Sequence, residues 1–136
     1  MKNKIAIICG EFHKAHIEVM LNEAKSVAKD CNLEVVREIW VPGSYEVPLI
    51  LQQILSDAAI NGAVVLGLIE RGETKHGLVM GQAVMPAIVN LELRFNKPVG
   101  IGILGPEILP EQIEKRLKPH AKAAVIAVKK MLDLLT

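Results

Sequence analysis

The sequence predicts a single three-layer α/β/α domain spanning residues 1–136, with a four-stranded parallel sheet between two layers of helices. Three observations carry that expectation. Short apolar runs rich in Ile, Val and Leu alternate with stretches of helical spacing, and such alternation closes a parallel sheet through right-handed crossovers. Hydrophobic residues make up 51% of the chain but aromatics only 3%, so aliphatic side chains must fill the core. A length of 136 residues suits one domain with a substantial interior, and no repeat, linker or low-complexity segment divides it.

Ile5 to Cys9 is a continuous apolar run ending at Gly10, the pattern of a strand buried on both faces. From His13 to Asp30, His16, Met20 and Ala24 follow at four-residue spacing with Leu21 and Val27 beside them, the pattern of an amphipathic helix. Glu34 to Trp40 alternates as a second strand and breaks at Pro42-Gly43. Tyr45 to Ala59 returns to helical spacing, with Pro48 tolerated in its first turn. Asn61-Gly62 turns the chain into a third strand, Ala63 to Ile69, and a long, nearly all-apolar helix follows from Gly77 to Phe95. Pro86 inside that helix removes a backbone hydrogen bond and predicts a kink. Asn96-Lys97-Pro98 leads into the fourth strand, Val99 to Leu104, and Pro110 to Leu135 reads as one Lys-rich amphipathic helix.

Sixteen basic residues balance fifteen acidic ones, and no basic stripe carries interleaved aromatics, which argues against a nucleic-acid partner. Cys9 and Cys31 lack the spacing of a zinc or redox pair, and no other metal motif is present. The apolar run near the N-terminus is too short for a membrane span or a secretory core, so the expected location is the cytoplasm. The helix from Leu78 to Leu91 is apolar on nearly all sides, and a domain this small leaves one of its faces open. A homo-oligomer is expected.

The candidate site is organised around Gly67 to His76. There a buried strand stops at charge, glycine and threonine, and a helix begins. In an open parallel sheet ligands bind at this end of the strands. Backbone N–H groups at the helix start favour an anion, Thr74 adds a hydroxyl, and His76 carries a mobile proton. The other strand ends reach the same edge: Gly10 to His13, Val41 to Glu46, and Gly105 to Glu107. Phe12 and Tyr45 lie in these loops, where an aromatic can stack on a planar ligand or simply cover the sheet. Ser44 and Glu46 open a helix, either as ligand contacts or as a cap and a favourable dipole charge. Lys115, Arg116 and Lys118 form a basic cluster that faces water by default, and His16 and His120 are assigned to helix surfaces.

Gly10-Glu11-Phe12, Val41 to Pro48, Gly67 to His76 and Pro98 to Ile103 together resemble the active-site segments and fourth strand of the lumazine synthase (6,7-dimethyl-8-ribityllumazine synthase) family. The similarity covers almost the whole chain, and Gly105-Pro106 is closer to the family's archaeal branch. The resemblance implies a flavodoxin-like fold and condensation of 5-amino-6-(D-ribitylamino)uracil with 3,4-dihydroxy-2-butanone 4-phosphate, two small molecules, without a cofactor. It implies that Phe12 stacks on the pyrimidine ring and that Ser44, Tyr45 and Glu46 hold the ribityl hydroxyls. Leu68, Ile69 and Glu70 would meet the uracil edge largely through backbone groups, with Ile101 packing from a neighbouring subunit. Glu73 and Thr74 match the phosphate-binding turn, and His76 the proton-transferring histidine. Arg116, or Lys115 in its place, would reach the phosphate across a subunit boundary. Members of the family form pentamers, some of which assemble into shells of twelve pentamers, and the apolar helix resembles the one lining the pentamer axis.

The chain departs from that pattern at several positions. His13 stands where the family usually has asparagine, and Glu70 replaces a residue usually aliphatic. Ile101 takes a place where many members have an aromatic, a loss of stacking worth ~1 kcal/mol. Gly77 and Leu78 follow the histidine in place of acidic or aromatic residues. Two other activities remain open from sequence: an archaeal-type riboflavin synthase, which lacks the G-E-T-x-H loop, and a non-catalytic shell protein binding a flavin-like ligand.

Overall fold

The computed structural model describes residues 2–135. The chain runs β1 (Asn3–Gly10), α1 (Lys14–Asp30), β2 (Leu33–Val41), a 3-10 turn (Ser44–Glu46) leading into α2 (Val47–Leu55), β3 (Gly62–Glu70), α3 (His76–Phe95), β4 (Val99–Ile108), α4 (Pro110–Ile113), a second 3-10 turn (Glu114–Arg116) and α5 (Leu117–Leu135). The four strands pair in parallel in the order β2-β1-β3-β4. Both faces of the sheet are covered: α1 and α5 pack on one apolar cluster, α2 and α3 on the other. This is the three-layer arrangement that the alternating pattern predicts, and it is consistent with the flavodoxin-like fold that the resemblance implies.

Burial follows position in the sheet. Every residue of β3 from Gly62 to Ile69 is buried, because β1 and β4 flank it and helices cover both sides. The edge strand β2 is half exposed, and its pairing with β1 slips between Ile5 and Ala6, leaving Val36 without a ladder partner. Such a bulge increases local twist at a sheet edge. On α1 the buried residues Ile17, Met20, Leu21, Ala24, Val27 and Ala28 repeat at helical spacing and face α5 across their layer. Cys9 is wholly buried in β1. Burial, with the charge of Glu38 adding to it, pushes its thiol up to about 12.

Element ends depart from the sequence reading where distant residues intervene. Helix α2 stops at Leu55, short of Ala59, because Lys97 Nζ donates to the carbonyls of Leu55 (2.7 Å) and Asp57 (2.9 Å). The stretch from Pro110 is not one helix but α4, a 3-10 turn and then α5. Restarting at Leu117 puts Pro119 in a first turn, where its missing N–H has no helical acceptor to lose. Strand β4 continues past Leu104 to Ile108, through the cis Gly105-Pro106 bond. Helix α3 ends at Phe95 with Pro86 inside it, as the sequence predicts. Asn96, at φ 52°, then turns the chain, and Glu92 Oε1 accepts from Val99 N–H at 2.8 Å to tie helix to strand.

Only Gly81, Val84 and Ile88 of α3 are buried, although by length and composition it is apolar enough to cross a membrane. Leu93 is 72% exposed, and Leu49 on the neighbouring α2 is 67% exposed.

Candidate active site

Strands β1 and β3 are neighbours, yet the chain leaves β1 toward β2 and leaves β3 toward β4. At such a switch point the two connections part above the strand ends and leave a crevice. A cleft of about 400 Å³ opens there, a volume within the usual range for small-molecule sites. Its walls are Phe12 after β1, Pro42 to Ser44 after β2, Leu68 to Glu70 at the end of β3, and Gly72, Thr74, His76, Gly77 and Met80 around the start of α3.

The end of β3 borders this cleft with uncommitted backbone. β1 pairs with β3 only as far as Cys9 and Leu66, so Gly67 to Glu70 continue without a β1 partner. On the other side the pairing with β4 slips between Leu68 and Glu70. Gly105 sits at φ 95° against this irregularity, where a Cβ would come 1.9 Å from the Ile69 carbonyl oxygen, so no side chain fits. Arg71 N–H donates to the Ile108 carbonyl at 2.8 Å and its side chain pairs with Glu107 at 3.3 Å, which ties the following loop to the tip of β4.

The loop enters α3 through a side-chain turn at Thr74, one residue before the N-cap Lys75. Thr74 Oγ1 accepts from the His76 N–H at 3.3 Å, and the hydroxyl proton stays free to donate. The next N–H groups, those of Gly77 and Leu78, belong to a first turn that has no intrahelical acceptors. Gly77 also allows close docking: a Cβ there would lie 2.8 Å from the Glu70 carbonyl oxygen. The His76 imidazole is exposed and meets Tyr45 edge-on at 6.2 Å between ring centroids. Ser44 is the only buried polar residue among those described, and its Oγ faces Gly67. Glu46 folds back toward Gly43, with Oε1 3.7 Å from where a Cβ would stand.

Phe12 is half exposed over the opposite wall, its ring 4.3 Å from that of His13 in an edge-on contact. His13 adopts a left-handed conformation, φ 57°, before α1, and its Nε2 lies 3.3 Å from Glu70 Oε2. That nitrogen is sealed from solvent and makes no hydrogen bond, so the two groups touch without a directed bond. Among the described residues no group of three or more His, Cys, Asp or Glu side chains is placed to hold a metal ion.

Of the residues singled out in the sequence, Phe12, Ser44, Leu68, Ile69, Glu70, Thr74 and His76 line one cleft. Tyr45 and Glu46 stand at its rim, and Glu73 is exposed in the loop beside Thr74. Ile101 and Arg116 are not brought to it within one chain. Ile101 pairs with Val65 in the middle of β4 and packs toward the α2–α3 layer. Arg116 is exposed and its guanidinium donates to the Gln112 carbonyl at 3.2 Å; Lys115 beside it is also exposed. Sequence reasoning passed over Met80, although it falls four residues after His76 and therefore on the same helix face.

The sequence profile of the 6,7-dimethyl-8-ribityllumazine synthase family matches residues 2–136. The chain belongs to that family. It is 40% identical over 128 residues to the 6,7-dimethyl-8-ribityllumazine synthase of Metallosphaera sedula, covering 94% of this chain and 85% of that protein. The synthase of Saccharolobus islandicus is 36% identical over 130 residues, 96% of this chain and 84% of its own. That of Staphylothermus marinus is 34% identical over 130 residues, 96% and 87% respectively. These relatives are archaeal, in keeping with the Gly105-Pro106 signature.

Proposed function

We propose that this protein condenses 5-amino-6-(D-ribitylamino)uracil with 3,4-dihydroxy-2-butanone 4-phosphate to 6,7-dimethyl-8-ribityllumazine, inorganic phosphate and water, the penultimate step of riboflavin synthesis. The observation that carries the reading is that Phe12 and the Thr74–His76 helix start line the same cleft, at the switch point of the sheet. One wall suits a planar ring, the other an anion, and the gap between them suits two small reactants. Family membership and relatives that share most of their length with this chain support it further.

In this scheme the pyrimidine stacks on Phe12 and its ribityl hydroxyls reach Ser44, Tyr45 and Glu46. The phosphate sits on the first N–H groups of α3 with the Thr74 hydroxyl and Glu73 beside it. Holding the two reactants together converts a bimolecular encounter into a local one, which supplies the larger share of the acceleration. The uracil's free amine attacks the ketone, and loss of water gives an imine. Loss of the C3 proton then expels phosphate from C4, the resulting enol becomes a ketone at C3, and the ribitylamino nitrogen closes the second ring on that carbon with loss of a further water. His76 takes and returns protons at these steps, an effect worth about 10²- to 10⁴-fold for a well-placed group. No cofactor enters the scheme.

Arg116 and Ile101 belong to a site completed by a neighbouring subunit. The exposed side chains of Leu49 and Leu93 on α2 and α3, and a groove between the helices lined by Leu49, Ala87 and Leu91 with Gln52, Asn90 and Arg94, support burial against other copies in a pentamer. The same reading places the protein in the cytoplasm, where unpaired cysteines such as Cys9 and Cys31 stay reduced. Mixing the two substrates with purified protein and following lumazine absorbance and phosphate release together tests the activity. Product from neither assay, or phosphate without lumazine, refutes it. Native mass on the same preparation distinguishes a monomer, which refutes the shared site, from a pentamer or twelve of them.

A further inference from the structure

His13 and Glu70 take no part in the scheme above, yet they meet each other beside its cleft, which Glu70 lines. They arrive from different elements. His13 is fixed by the start of α1, where its carbonyl accepts from the N–H groups of His16 (2.9 Å) and Ile17 (3.2 Å). Its ring is held edge-on against Phe12 at 4.3 Å. Glu70 ends β3, with its backbone pinned between Ile108 and the closely docked Gly77. With both backbones held, the 3.3 Å approach of Nε2 to Oε2 is set by the fold, not by two mobile surface chains.

An ionised carboxylate accepts hydrogen bonds and donates none. One oxygen of Glu70 rests against His13, which leaves the other for a ligand in the cleft that Glu70 and Phe12 both line. An acceptor beside a stacked heteroaromatic ring favours a ring edge bearing N–H and disfavours one bearing only carbonyl oxygens. Resting on the function proposed above, we infer that Glu70 accepts an N–H of the pyrimidine stacked on Phe12, and that His13 is the positioning residue that aims the carboxylate. Glu70 then determines specificity by its side chain, beyond the backbone contacts of Leu68 and Ile69.

The test is binding of 5-amino-6-(D-ribitylamino)uracil alone, by calorimetry, to the wild type, Glu70→Ile, Glu70→Gln, His13→Asn and the His13→Asn/Glu70→Ile double variant, with lumazine formation measured on each. Glu70→Ile weakens binding by about 10-fold, as expected for a bond to a charged acceptor that is part screened by water. Glu70→Gln, which keeps one acceptor oxygen, falls between it and the wild type. His13→Asn weakens binding in the Glu70 background and leaves it unchanged in the Glu70→Ile background. The KM for the butanone phosphate stays at its wild-type value throughout. Unchanged or tighter binding by Glu70→Ile overturns the inference, as does a His13→Asn effect of equal size in both backgrounds. A wild type that binds the pyrimidine but makes no lumazine sinks the proposed reaction and leaves the pair to be judged on binding. A wild type that binds none sinks both.

Discussion

Replacing Thr74 by valine keeps the shape of the side chain and removes its oxygen, which in the structure has two separable duties. As the anchor of the turn before α3, Oγ1 accepts from the His76 N–H at 3.3 Å, a long bond, so its loss costs about 0.5–1 kcal/mol of stability, the low end for a neutral hydrogen bond. For a chain of 136 residues that corresponds to a fall in Tm of roughly 2–5 °C. As a ligand contact, the hydroxyl proton donates to a phosphate oxygen, and a hydrogen bond to a charged partner is worth about 1.5–3 kcal/mol. The KM for the butanone phosphate should therefore rise by about 10- to 150-fold, with the KM for the pyrimidine unchanged. Steady-state kinetics with each substrate varied in turn, beside a thermal melt, reads both effects. Thr74→Ser, which retains the oxygen, should recover most of the phosphate affinity. A lowered Tm with an unaltered phosphate KM would show that Thr74 only anchors the turn into α3, and the anion would have to be placed elsewhere.

His76→Ala should lower kcat by about 10²-fold, the low end for a general acid/base because the imidazole is exposed, with both KM values nearly constant; a loss confined to KM would make it a binding residue. Arg116→Ala should raise the phosphate KM while Lys115→Ala does not. Co-assembling Arg116→Ala with His76→Ala subunits should restore activity at mixed sites, and failure of both effects would remove Arg116 from the site. With the Cys9 thiol raised from 9.0 to about 12, the unfolded chain loses its proton first as pH rises. Stability present below pH 9 is therefore lost between pH 9 and 12, by roughly 1.4 kcal/mol per pH unit. Urea titrations across that range should show the slope in the wild type and not in Cys9→Ala.

The sheet was legible because its signal is local. Ile5 to Cys9 and Ala63 to Ile69 are unbroken apolar runs, and a strand covered on both faces has no other way to look. Helix ends were less legible where the residue that sets them lies far away. Nothing near Leu55 announces that Lys97 will cap it, and the break before Leu117 is a compromise around Pro119. The anion wall of the cleft could be read because a strand, a glycine, a threonine and a helix start are consecutive. The His13–Glu70 contact could not, since the two residues stand 57 positions apart in the sequence (70 − 13) and meet only when β1 and β3 pair. Ile101 and Arg116 show the same limit one level higher: their predicted partners lie outside a single chain.

The missing side chain at position 77 has a consequence for anyone moving residues between relatives. With 2.8 Å between a would-be Cβ and the Glu70 carbonyl oxygen, the first turn of α3 and the last residue of β3 behave as one rigid corner. Placing any side chain there would wedge that corner apart and carry His76 away from Phe12. Neighbouring positions must be exchanged as a block, and a swap at 77 alone would be mistaken for a chemical defect when its origin is mechanical.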